Sequence, residues 1–348
     1  MIRELYRIEQ LPVFQNRMYA SAAEAQGCPR GDVRLVQNTE TGLIYNADFR
    51  PELLVYDENY QNEQAVSPLF REHLDEVAGI VERTLGRKGL IEVGCGKGYF
   101  METMAARGVE IAGFDPAYEG SNPLIRRHAF APGLGMSAHG LILRHVLEHV
   151  ADPFSFLEQL SAANGEKGLI YVEVPCFDWI VAHRAWFDIY YEHVNYFRLG
   201  DFTRMFSHIV ESGHLFGGQY LYVVADLASL RKPKADANDL VSLPDDFQRC
   251  VTANTIDGPV AVWGGASRGV IFSLLRSRLG RPVDMVIDIN PAKQGKYLPG
   301  TGLLVHSVEE GLALLPGGAT IYVMNSNYYE EIKKMSGNAY RYVRVDHE

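Results

Sequence analysis

Hydrophobic and polar positions along the chain follow two different periods, and the change between them predicts where helices and strands lie. The segment 67–86 has apolar residues at every third or fourth position, which is the period of a helix with one buried face. These apolar positions are Phe70, Leu74, Val77 and Val81. Ser67 is suited to cap this helix, and Pro68 is suited to its first turn.

After this helix, short apolar runs alternate with helical segments. The runs GLIEVG, EIAGFD, HGLILRHV and GLIYVEVP have the length and composition of buried strands, whereas YFMETMAARG and DPFSFLEQLSAANG have the helical period. This alternation is typical of an α/β fold whose parallel sheet has helices on both faces. The later run GQYLYVVADL predicts a strand that closes the sheet in the antiparallel direction.

A second strand, glycine turn and helix begin at PVAVWGGASRG and continue into VIFSLLRSRLG. Ile271, Leu275 and Leu279 form the apolar stripe of this helix. The runs VDMVIDINP, VEEGLALLPGG and ATIYVMN then continue the order strand, helix, strand. The pattern therefore predicts a second Rossmann-like unit.

These patterns divide the chain into four parts. Residues 1–68 are rich in Asn, Tyr and Gly without a clear period, and we expect a small irregular N-terminal domain. Residues 69–229 form the central α/β domain, and residues 249–348 form the C-terminal one. The polar segment 230–248 contains two prolines and no period, which predicts a linker with room for a short helix.

Composition restricts the kind of protein. The chain has 348 residues, of which 47% are hydrophobic, and carries a net charge of −10 without a Lys/Arg run, so nucleic acid is not an expected partner. No stretch approaches the roughly 20 apolar residues of a membrane span, and the N-terminus lacks an apolar signal core. We therefore expect a cytoplasmic protein that does not bind membranes. The composition leaves the oligomeric state open.

The four cysteines are scattered and form no CxxC pair. They are Cys28, Cys95, Cys176 and Cys250. We expect neither a disulfide framework nor a zinc site built on cysteine alone.

The stretch LIEVGCGKGYF places Gly94, Gly96 and Gly98 between a strand and a helix. Such glycines let the backbone approach a ligand, and the spacing alone admits NAD, FAD, a phosphate or S-adenosylmethionine (SAM). Asp115, at the end of the next strand, can accept hydrogen bonds from ribose hydroxyls of either NAD or SAM. Glu92 discriminates, because an acid at this position would repel a pyrophosphate and suits the aminium group of SAM.

This stretch resembles motif I of class I SAM-dependent methyltransferases, and LILRHVLEHVADP resembles the segment after the fourth strand of that superfamily. The resemblance implies that the segment from Arg144 to Leu147 lies along the SAM cleft, with Arg144 and His145 as cofactor-binding residues. His145 and His149 are four residues apart, a spacing that can share a metal ion on a helix. No third ligand is evident in the sequence, so we expect no metal there.

The segment WFDIYYEHVNYF places an acid and a histidine among aromatic residues. Packing of an aromatic cluster around a satisfied histidine is one interpretation. Histidine titrates near neutral pH, however, and a neighbouring carboxylate can orient it or stabilise its charge. We therefore take Tyr190, Glu192 and His193 as candidate catalytic residues.

This segment is similar to the sugar C-methyltransferases, which act on nucleotide-linked keto-deoxysugars, together with the stretches GDVRL, GLIYNADFRPELLVYDENYQNEQ, SPLF, GFDPAY, WGGASRG and DINPAKQGKYLPGTGLLVHSVEE. The resemblance covers nearly the whole chain. It implies an N-terminal domain, a central SAM-binding Rossmann-like domain and a second Rossmann-like domain. It also implies catalytic roles for Tyr190, Glu192 and His193.

The chain departs from that family in its N-terminal domain, which usually binds zinc through four cysteines. Gln15, Asn38 and Thr41 stand where ligands are expected. We therefore expect no zinc, and a domain held together by packing instead.

The second glycine turn, VWGGASRG, is followed about 20 residues later by Asp288, as in a nucleotide-binding unit. An NAD site is one interpretation, although the spacing is GGxxxG rather than GxGxxG. The resemblance implies instead that this domain helps to hold the substrate, including its nucleotide part.

We thus expect a SAM-dependent methyltransferase that methylates a carbon atom of a nucleotide-linked ketosugar through an enolate. His193 is the expected base, and Glu192 sets the orientation or the charge of its imidazole. Tyr190 is expected to hydrogen-bond the enolate oxygen. The alternatives are an O- or N-methyltransferase of another small molecule, a non-catalytic SAM or nucleotide sensor, and an NAD-dependent oxidoreductase, which Glu92 disfavours.

Overall fold

The computed structural model describes residues 1–54, 65–236, 239–247 and 258–346. The strands in these ranges form three sheets, of four, seven and five strands. No helix in them has both the length and the apolar character needed to cross a membrane. The α/β class expected from the sequence is confirmed, with parallel sheets in the central and C-terminal parts.

The strands are β1 Ile2–Pro12, β2 Arg30–Asn38, β3 Ile44–Asn46, β4 Leu90–Val93, β5 Ile111–Phe114, β6 Ile125–Arg126, β7 Gly140–Arg144, β8 Leu169–Pro175, β9 Asn195–Tyr196, β10 Ile209–Leu215, β11 Tyr220–Asp226, β12 Val260–Trp263, β13 Met285–Ile287, β14 Val305–His306, β15 Thr320–Val323 and β16 Arg341–Arg344. The α-helices are α1 Ala22–Gln26, α2 Pro68–Thr84, α3 Tyr99–Ala106, α4 Pro153–Ala163, α5 Phe177–Ala182, α6 Leu199–Met205, α7 Ser267–Arg278, α8 Val308–Leu314 and α9 Tyr329–Met335.

The N-terminal part is a β-sheet, so the expectation of an irregular domain was wrong. Its strand order is β1-β2-β3-β9, with antiparallel pairing throughout. The pairing of β1 with β2 shifts register between Glu4 and Tyr6 and again between Ile8 and Leu11. Each shift breaks the alternation of side chains, which removes the period-two signal from the sequence. Strand β9 comes from the central part of the chain and ties it to this sheet.

The central sheet has the order β10-β11-β8-β7-β4-β5-β6. The chain enters in the middle at β4, winds outward to β6 and crosses back to β7 on the other side of β4. In sheets of this kind, ligands bind where the strand order reverses, beyond the carboxyl ends of the strands, which here is beyond β4 and β7. Strand β11 is antiparallel to β8, as predicted, but β10 lies outside it as an edge strand that the sequence pattern did not indicate.

Helix α2 covers this sheet as predicted. Ser67 Oγ accepts a hydrogen bond of 3.4 Å from the Phe70 N–H, and Pro68 occupies the first turn. The four apolar residues predicted to face inward are all buried. The same face carries the buried His73, which reaches into the sheet toward Glu173.

The C-terminal sheet has the order β14-β13-β12-β15-β16 and is parallel throughout. Its strand order reverses between β12 and β15, so it also has a ligand-binding edge. Ile271 and Leu275 of α7 are buried as predicted, but Leu279 is 49% exposed because the helix ends at Arg278.

The described part of the linker, 230–236 and 239–247, contains no α-helix and runs along the N-terminal sheet. Gln37 Nε2 donates to the Asp239 carbonyl at 2.7 Å, and the Val241 N–H donates to Gln37 Oε1 at 3.0 Å. Phe247 is buried against the Tyr6 ring at 5.5 Å. Cys28, Cys95 and Cys176 are buried and unbridged, and Cys250 lies outside the described residues.

Candidate active site

The first glycine turn links β4 to α3 at the reversal of the central sheet. Gly94, Gly96 and Gly98 all have positive φ, at 71°, 54° and 84°. A Cβ at Gly94 would lie 2.4 Å from Val146 Cγ2, and one at Gly98 would lie 2.4 Å from Ile125 Cδ1. A Cβ at Gly96 would meet no atom of the described residues within 4 Å. Gly94 and Gly98 therefore allow close packing of neighbouring side chains, whereas Gly96 leaves open space above the turn that suits a ligand.

Asp115 closes this turn from the end of β5. Its Oδ2 accepts the Gly96 N–H at 2.7 Å, and its Oδ1 accepts the Ala117 N–H at 2.8 Å. A carboxylate has about four lone-pair positions, so the oriented group retains capacity for ribose hydroxyls. Ribose binding by Asp115 therefore stays a prediction, with the carboxylate held in place by two backbone N–H groups.

Glu92 is the acid that favoured SAM over a dinucleotide. It is 3% exposed, and burial raises the pKa of its carboxyl to about 8, although the Arg144 cation acts in the opposite direction. Its Oε2 has no hydrogen-bond partner among the described residues. A buried carboxyl with an unused oxygen is stabilised in its charged form by a nearby cation, which fits the aminium group of SAM.

Arg144 ends strand β7 at the ligand-binding edge of the central sheet, and its guanidinium pairs with Glu173. Arg144 Nε lies 3.1 Å from Glu173 Oε2, and its guanidinium lies over the Phe100 ring at 4.6 Å. Glu173 is fully buried, and His73 Nε2 and the Tyr171 hydroxyl each lie 2.9 Å from its carboxylate. Burial acts to raise the pKa of Glu173, but Arg144 and the histidines outweigh it and hold that pKa well below its ordinary value.

His145 lies between two buried carboxylates and lines the cavity described below. Its Nδ1 is 3.3 Å from Glu148 Oε1, and its Nε2 is 3.1 Å from Glu173 Oε1. Burial acts to lower the pKa of His145, but these two partners raise it to about 9. His145 has a φ of 49°, and Leu147–His149 is a short 3-10 turn, so His145 and His149 do not share the face of an α-helix.

The three candidate catalytic residues come together in the structure, and all are buried. The Tyr190 hydroxyl lies 2.7 Å from His193 Nε2, and the two rings are 4.1 Å apart. Glu192 Oε2 accepts a hydrogen bond of 2.8 Å from the backbone N–H of Gln15, in the N-terminal domain. Burial and the neighbouring histidines lower the pKa of His193 well below its ordinary value, so its imidazole is neutral at pH 7.

These residues face a cavity of about 230 Å³ between the central domain and the ligand-binding edge of the C-terminal sheet. From the C-terminal domain, the cavity is lined by Ser267, Arg268, Asp288, Asn290, Lys293 and Asn325. Arg268 joins the two sides, because its Nε lies 2.6 Å from Asp188 Oδ1 and its Nη2 donates to Gln219 Oε1 at 3.0 Å. No sequence pattern pointed to Arg268 or Lys293 as site residues, although both lie in segments that carried the family resemblance.

The two glycine turns share one feature, a backbone N–H of the turn that donates to an aspartate at the end of the next strand. The Gly265 N–H donates to Asp288 Oδ2 at 2.7 Å, just as the Gly96 N–H donates to Asp115 at 2.7 Å. The buried Lys293 ammonium lies 3.9 Å from Asp288 Oδ2, and burial lowers its pKa while Asp288 opposes that shift. The second turn thus presents a held carboxylate and a cation to the cavity.

Comparison with known proteins identifies the central part of the chain. Residues 65–209 match the family model described as a methyltransferase domain. This part of the chain is a methyltransferase domain. The matched residues contain the glycine turn, the acids and the candidate catalytic segment described above.

Relatives of the chain cover it only in part. The C-methyltransferase NovU of Streptomyces niveus is 23% identical over 270 residues, which are 65% of this chain and 64% of that protein. A ubiquinone biosynthesis O-methyltransferase of Ruegeria pomeroyi is 35% identical over 103 residues, which are 24% of this chain and 41% of that protein. In both cases the chain spans less than two thirds of the relative. A solved SAM-dependent methyltransferase of Archaeoglobus fulgidus aligns with a TM-score of 0.33 and 17% identity over 45% of this chain and 98% of that one.

Proposed function

We propose that the protein transfers the methyl group of SAM to a carbon atom of a nucleotide-linked keto-deoxysugar, through an enolate of the sugar. The observation that carries this proposal is the buried contact between Tyr190 and a neutral His193, at a cavity beside the methyltransferase crevice. The likeness to a C-methyltransferase over 270 residues supports carbon as the acceptor atom.

Four groups at the crevice of the central sheet would hold SAM. Gly96 leaves space for it, Asp115 offers its remaining lone pairs to the ribose, and Glu92 stabilises the positive charge of its amino group, with His145 at the cavity side. When bound, SAM supplies an electrophilic methyl group. The task left to the protein is to generate a carbon nucleophile and to hold it in line.

His193 is the proposed general base. A carbon next to a ketone becomes nucleophilic when a proton is removed from it, and the neutral imidazole of His193 has a lone pair to accept that proton. In our assignment, the Nε2–H of His193 donates to the Tyr190 oxygen over 2.7 Å, which leaves Nδ1 as the basic nitrogen. The Tyr190 hydroxyl also has a hydrogen-bond interaction with Ser267, and in this assignment its O–H turns from Ser267 to the enolate oxygen as charge develops there.

Glu192 supports this pair from a fixed position. The Gln15 N–H holds one of its carboxylate oxygens at 2.8 Å, so the N-terminal domain determines where its charge lies. We propose that this charge stabilises His193 once the imidazole has taken up the proton. Lys293 also responds to this charge, because Glu192 acts to raise the pKa of its ammonium.

The nucleotide part of the substrate would lie toward the C-terminal sheet. The second glycine turn precedes the N-terminus of the twelve-residue helix α7, where backbone N–H groups favour phosphate oxygens. Lys293 and Arg268 lie on the same side of the cavity, where they are paired with Asp288 and Asp188, and we propose that they also contact phosphate oxygens. This location would leave the sugar ring near Tyr190 and His193.

Solvent exchange tests whether carbon is the acceptor atom. The purified protein is incubated in D₂O with SAM and a dTDP-linked ketosugar, and the sugar is followed by NMR and mass spectrometry. We expect a gain of one methyl group on carbon, and deuterium at the carbon next to the ketone in the unmethylated sugar. His193→Ala is the matched variant and should show neither, while still binding SAM. A methylated product without any carbon exchange would reject the enolate.

Methylation of an oxygen atom is the second candidate function. It is favoured by the 35% identity to an O-methyltransferase, although that likeness covers only 24% of the chain. O-methylation needs no enolate, so it predicts a methyl ether in the product and no deuterium on carbon. The same experiment therefore separates the two functions.

A further inference from the structure

Glu148, His149 and His193 form a side-chain cluster at the wall of the cavity. Each offers one potential ligand atom, and these three atoms all lie within 4.8 Å of one another. The rings of His149 and His193 are 5.0 Å apart. We propose that this cluster is a binding site for a divalent ion of the zinc class.

The proton on His149 is placed so that the ring can act as a ligand. His149 Nδ1 lies 2.8 Å from the backbone carbonyl oxygen of Glu192. A carbonyl oxygen only accepts hydrogen bonds, so Nδ1 carries the hydrogen and Nε2 keeps its lone pair. Metal-binding histidines are commonly held in this way, with one ring nitrogen donating to a backbone carbonyl.

Glu148 supplies the carboxylate, and one of its oxygens lacks a partner. The residue is 1% exposed, and its Oε1 lies 3.3 Å from His145 Nδ1. Its Oε2 has no hydrogen-bond partner among the described residues. A buried carboxylate oxygen without a partner is costly, and a bound cation would satisfy it.

The backbone holds the two segments of the cluster together. The Val194 N–H donates to the Glu148 carbonyl oxygen at 2.7 Å, next to His193 on one segment and His149 on the other. The Asn195 side chain donates to the Leu147 carbonyl at 3.4 Å and to the Val150 carbonyl at 2.5 Å. The three ligand residues are therefore fixed by contacts that do not depend on a bound ion.

Two imidazoles and one carboxylate are ligands that suit Zn²⁺ and Co²⁺, and the cavity provides room for a fourth, exchangeable ligand. Binding would occupy a lone pair of His193. The imidazole could then no longer accept a proton from the substrate, so zinc would inhibit methyl transfer. This inhibitory role rests on the proposed function, whereas the binding site does not.

Metal binding is measured first, without substrate. The wild-type protein is treated with a chelator, dialysed and titrated with Zn²⁺ by calorimetry, with metal content measured after gel filtration. We expect one ion per chain. Loss of a residue that only orients a metal ligand weakens metal binding about 10- to 100-fold. Glu148 and His149 are proposed as direct ligands, so Glu148→Gln and His149→Ala should each weaken binding by at least about tenfold. His139→Ala removes an exposed histidine elsewhere and should bind as the wild type does.

Co²⁺ provides a test that needs no variant. Its visible absorption should report coordination by nitrogen and oxygen in a site of low symmetry, and Zn²⁺ should displace it. The site would be rejected if the wild type bound no ion, if both ligand variants bound as tightly as the wild type, or if the His139 variant lost binding. Stoichiometric zinc that leaves methyl transfer unchanged would keep the site and overturn the inhibitory role. Failure to find any methylated acceptor would count against the proposed function alone.

Discussion

The hydroxyl group of Tyr190 lies 2.7 Å from Nε2 of His193, and both side chains are buried at the cavity wall. Burial lowers the pKa of His193 and raises that of Tyr190, so at neutral pH the pair consists of an uncharged imidazole and an uncharged phenol. A single hydrogen is shared across this contact. In the proposed assignment, His193 donates this hydrogen, so its other ring nitrogen faces the substrate as the base, and the Tyr190 O–H exchanges its interaction with Ser267 for the enolate oxygen.

Replacing His193 tests this assignment directly. His193→Ala removes the proposed base, and we expect kcat to fall by about 10²- to 10⁴-fold. SAM affinity should stay within about twofold, because the glycine turn and Asp115 are untouched. The measurements are steady-state kinetics with the sugar acceptor and calorimetric titration with SAM. His139→Ala is the matched control and should retain wild-type activity. Normal turnover by the His193 variant would show that another group removes the proton.

Glu192 has two separable contributions, a hydrogen bond and a charge. Glu192→Gln keeps an oxygen for the Gln15 N–H and removes the charge, whereas Glu192→Ala removes both. We expect both variants to lose about tenfold or more in kcat, because a charged partner contributes about 1.5–3 kcal/mol. The Ala variant alone should also lose about 1–3 kcal/mol of stability, since the buried N–H is left without its acceptor. Denaturant unfolding and kinetics measure the two effects, and an active Gln variant would contradict a role for the charge.

Local sequence signals predicted the elements that surround the crevice. The cap at Ser67, the apolar face of α2 and the direction of β11 all follow from residues close together in the chain. The glycine turn was identifiable because glycine adopts positive φ with less strain than any other residue and has no side chain to occupy the ligand's space. These features depend on local chemistry, which a single sequence contains.

The remaining features depend on contacts between distant segments. The hydrogen bond from Gln15 to Glu192 spans 177 positions, and the pairing of β9 with β3 places part of the catalytic segment on the N-terminal sheet. The sequence suggested His145 and His149 as a helical pair, but the left-handed backbone at His145 turns the chain and places Glu148 and His149 beside His193 instead. Such relationships are set by tertiary packing and leave no period in the sequence.

The space above Gly96 should be a requirement for SAM rather than for folding. Gly96→Ala places a methyl group in this space. Gly86→Ala places one at a turn with φ of 83°, where no atom of the described part of the chain lies within 4 Å. Both changes force alanine into left-handed backbone, at a cost of about 1–2 kcal/mol. We expect similar losses of stability and, in the Gly96 variant alone, a loss of SAM affinity of about tenfold or more. Thermal unfolding and SAM titration compare them, and equal SAM affinities would place the cofactor elsewhere.

The raised pKa of Glu92 makes SAM binding depend on pH. With a pKa of about 8, the carboxyl is mostly protonated in the free protein at pH 7. A bound cation favours the carboxylate, so binding releases a proton and affinity should rise by up to about tenfold per pH unit between about pH 6 and about pH 7.5. Calorimetry in buffers of different ionisation enthalpy counts the protons. Glu92→Gln should abolish this slope, and an unchanged slope in that variant would assign the proton to another group.

Glu173 should be the main electrostatic contributor to the stability of the central domain. Glu173→Gln leaves Arg144 and the histidines buried without their anion, and we expect a loss of about 3–5 kcal/mol in the free energy of unfolding. The control Glu158→Gln, at an exposed position, should lose about 0.5 kcal/mol or less.

His145 has a pKa raised to about 9, so the stability it contributes is complete below its unfolded pKa of 6.5 and is lost as pH rises through about 9. The difference between wild type and Glu173→Gln should therefore be larger at about pH 6 than at about pH 9.5. Urea unfolding at both values measures it, and a difference that does not change with pH would show that His145 does not take part in this network.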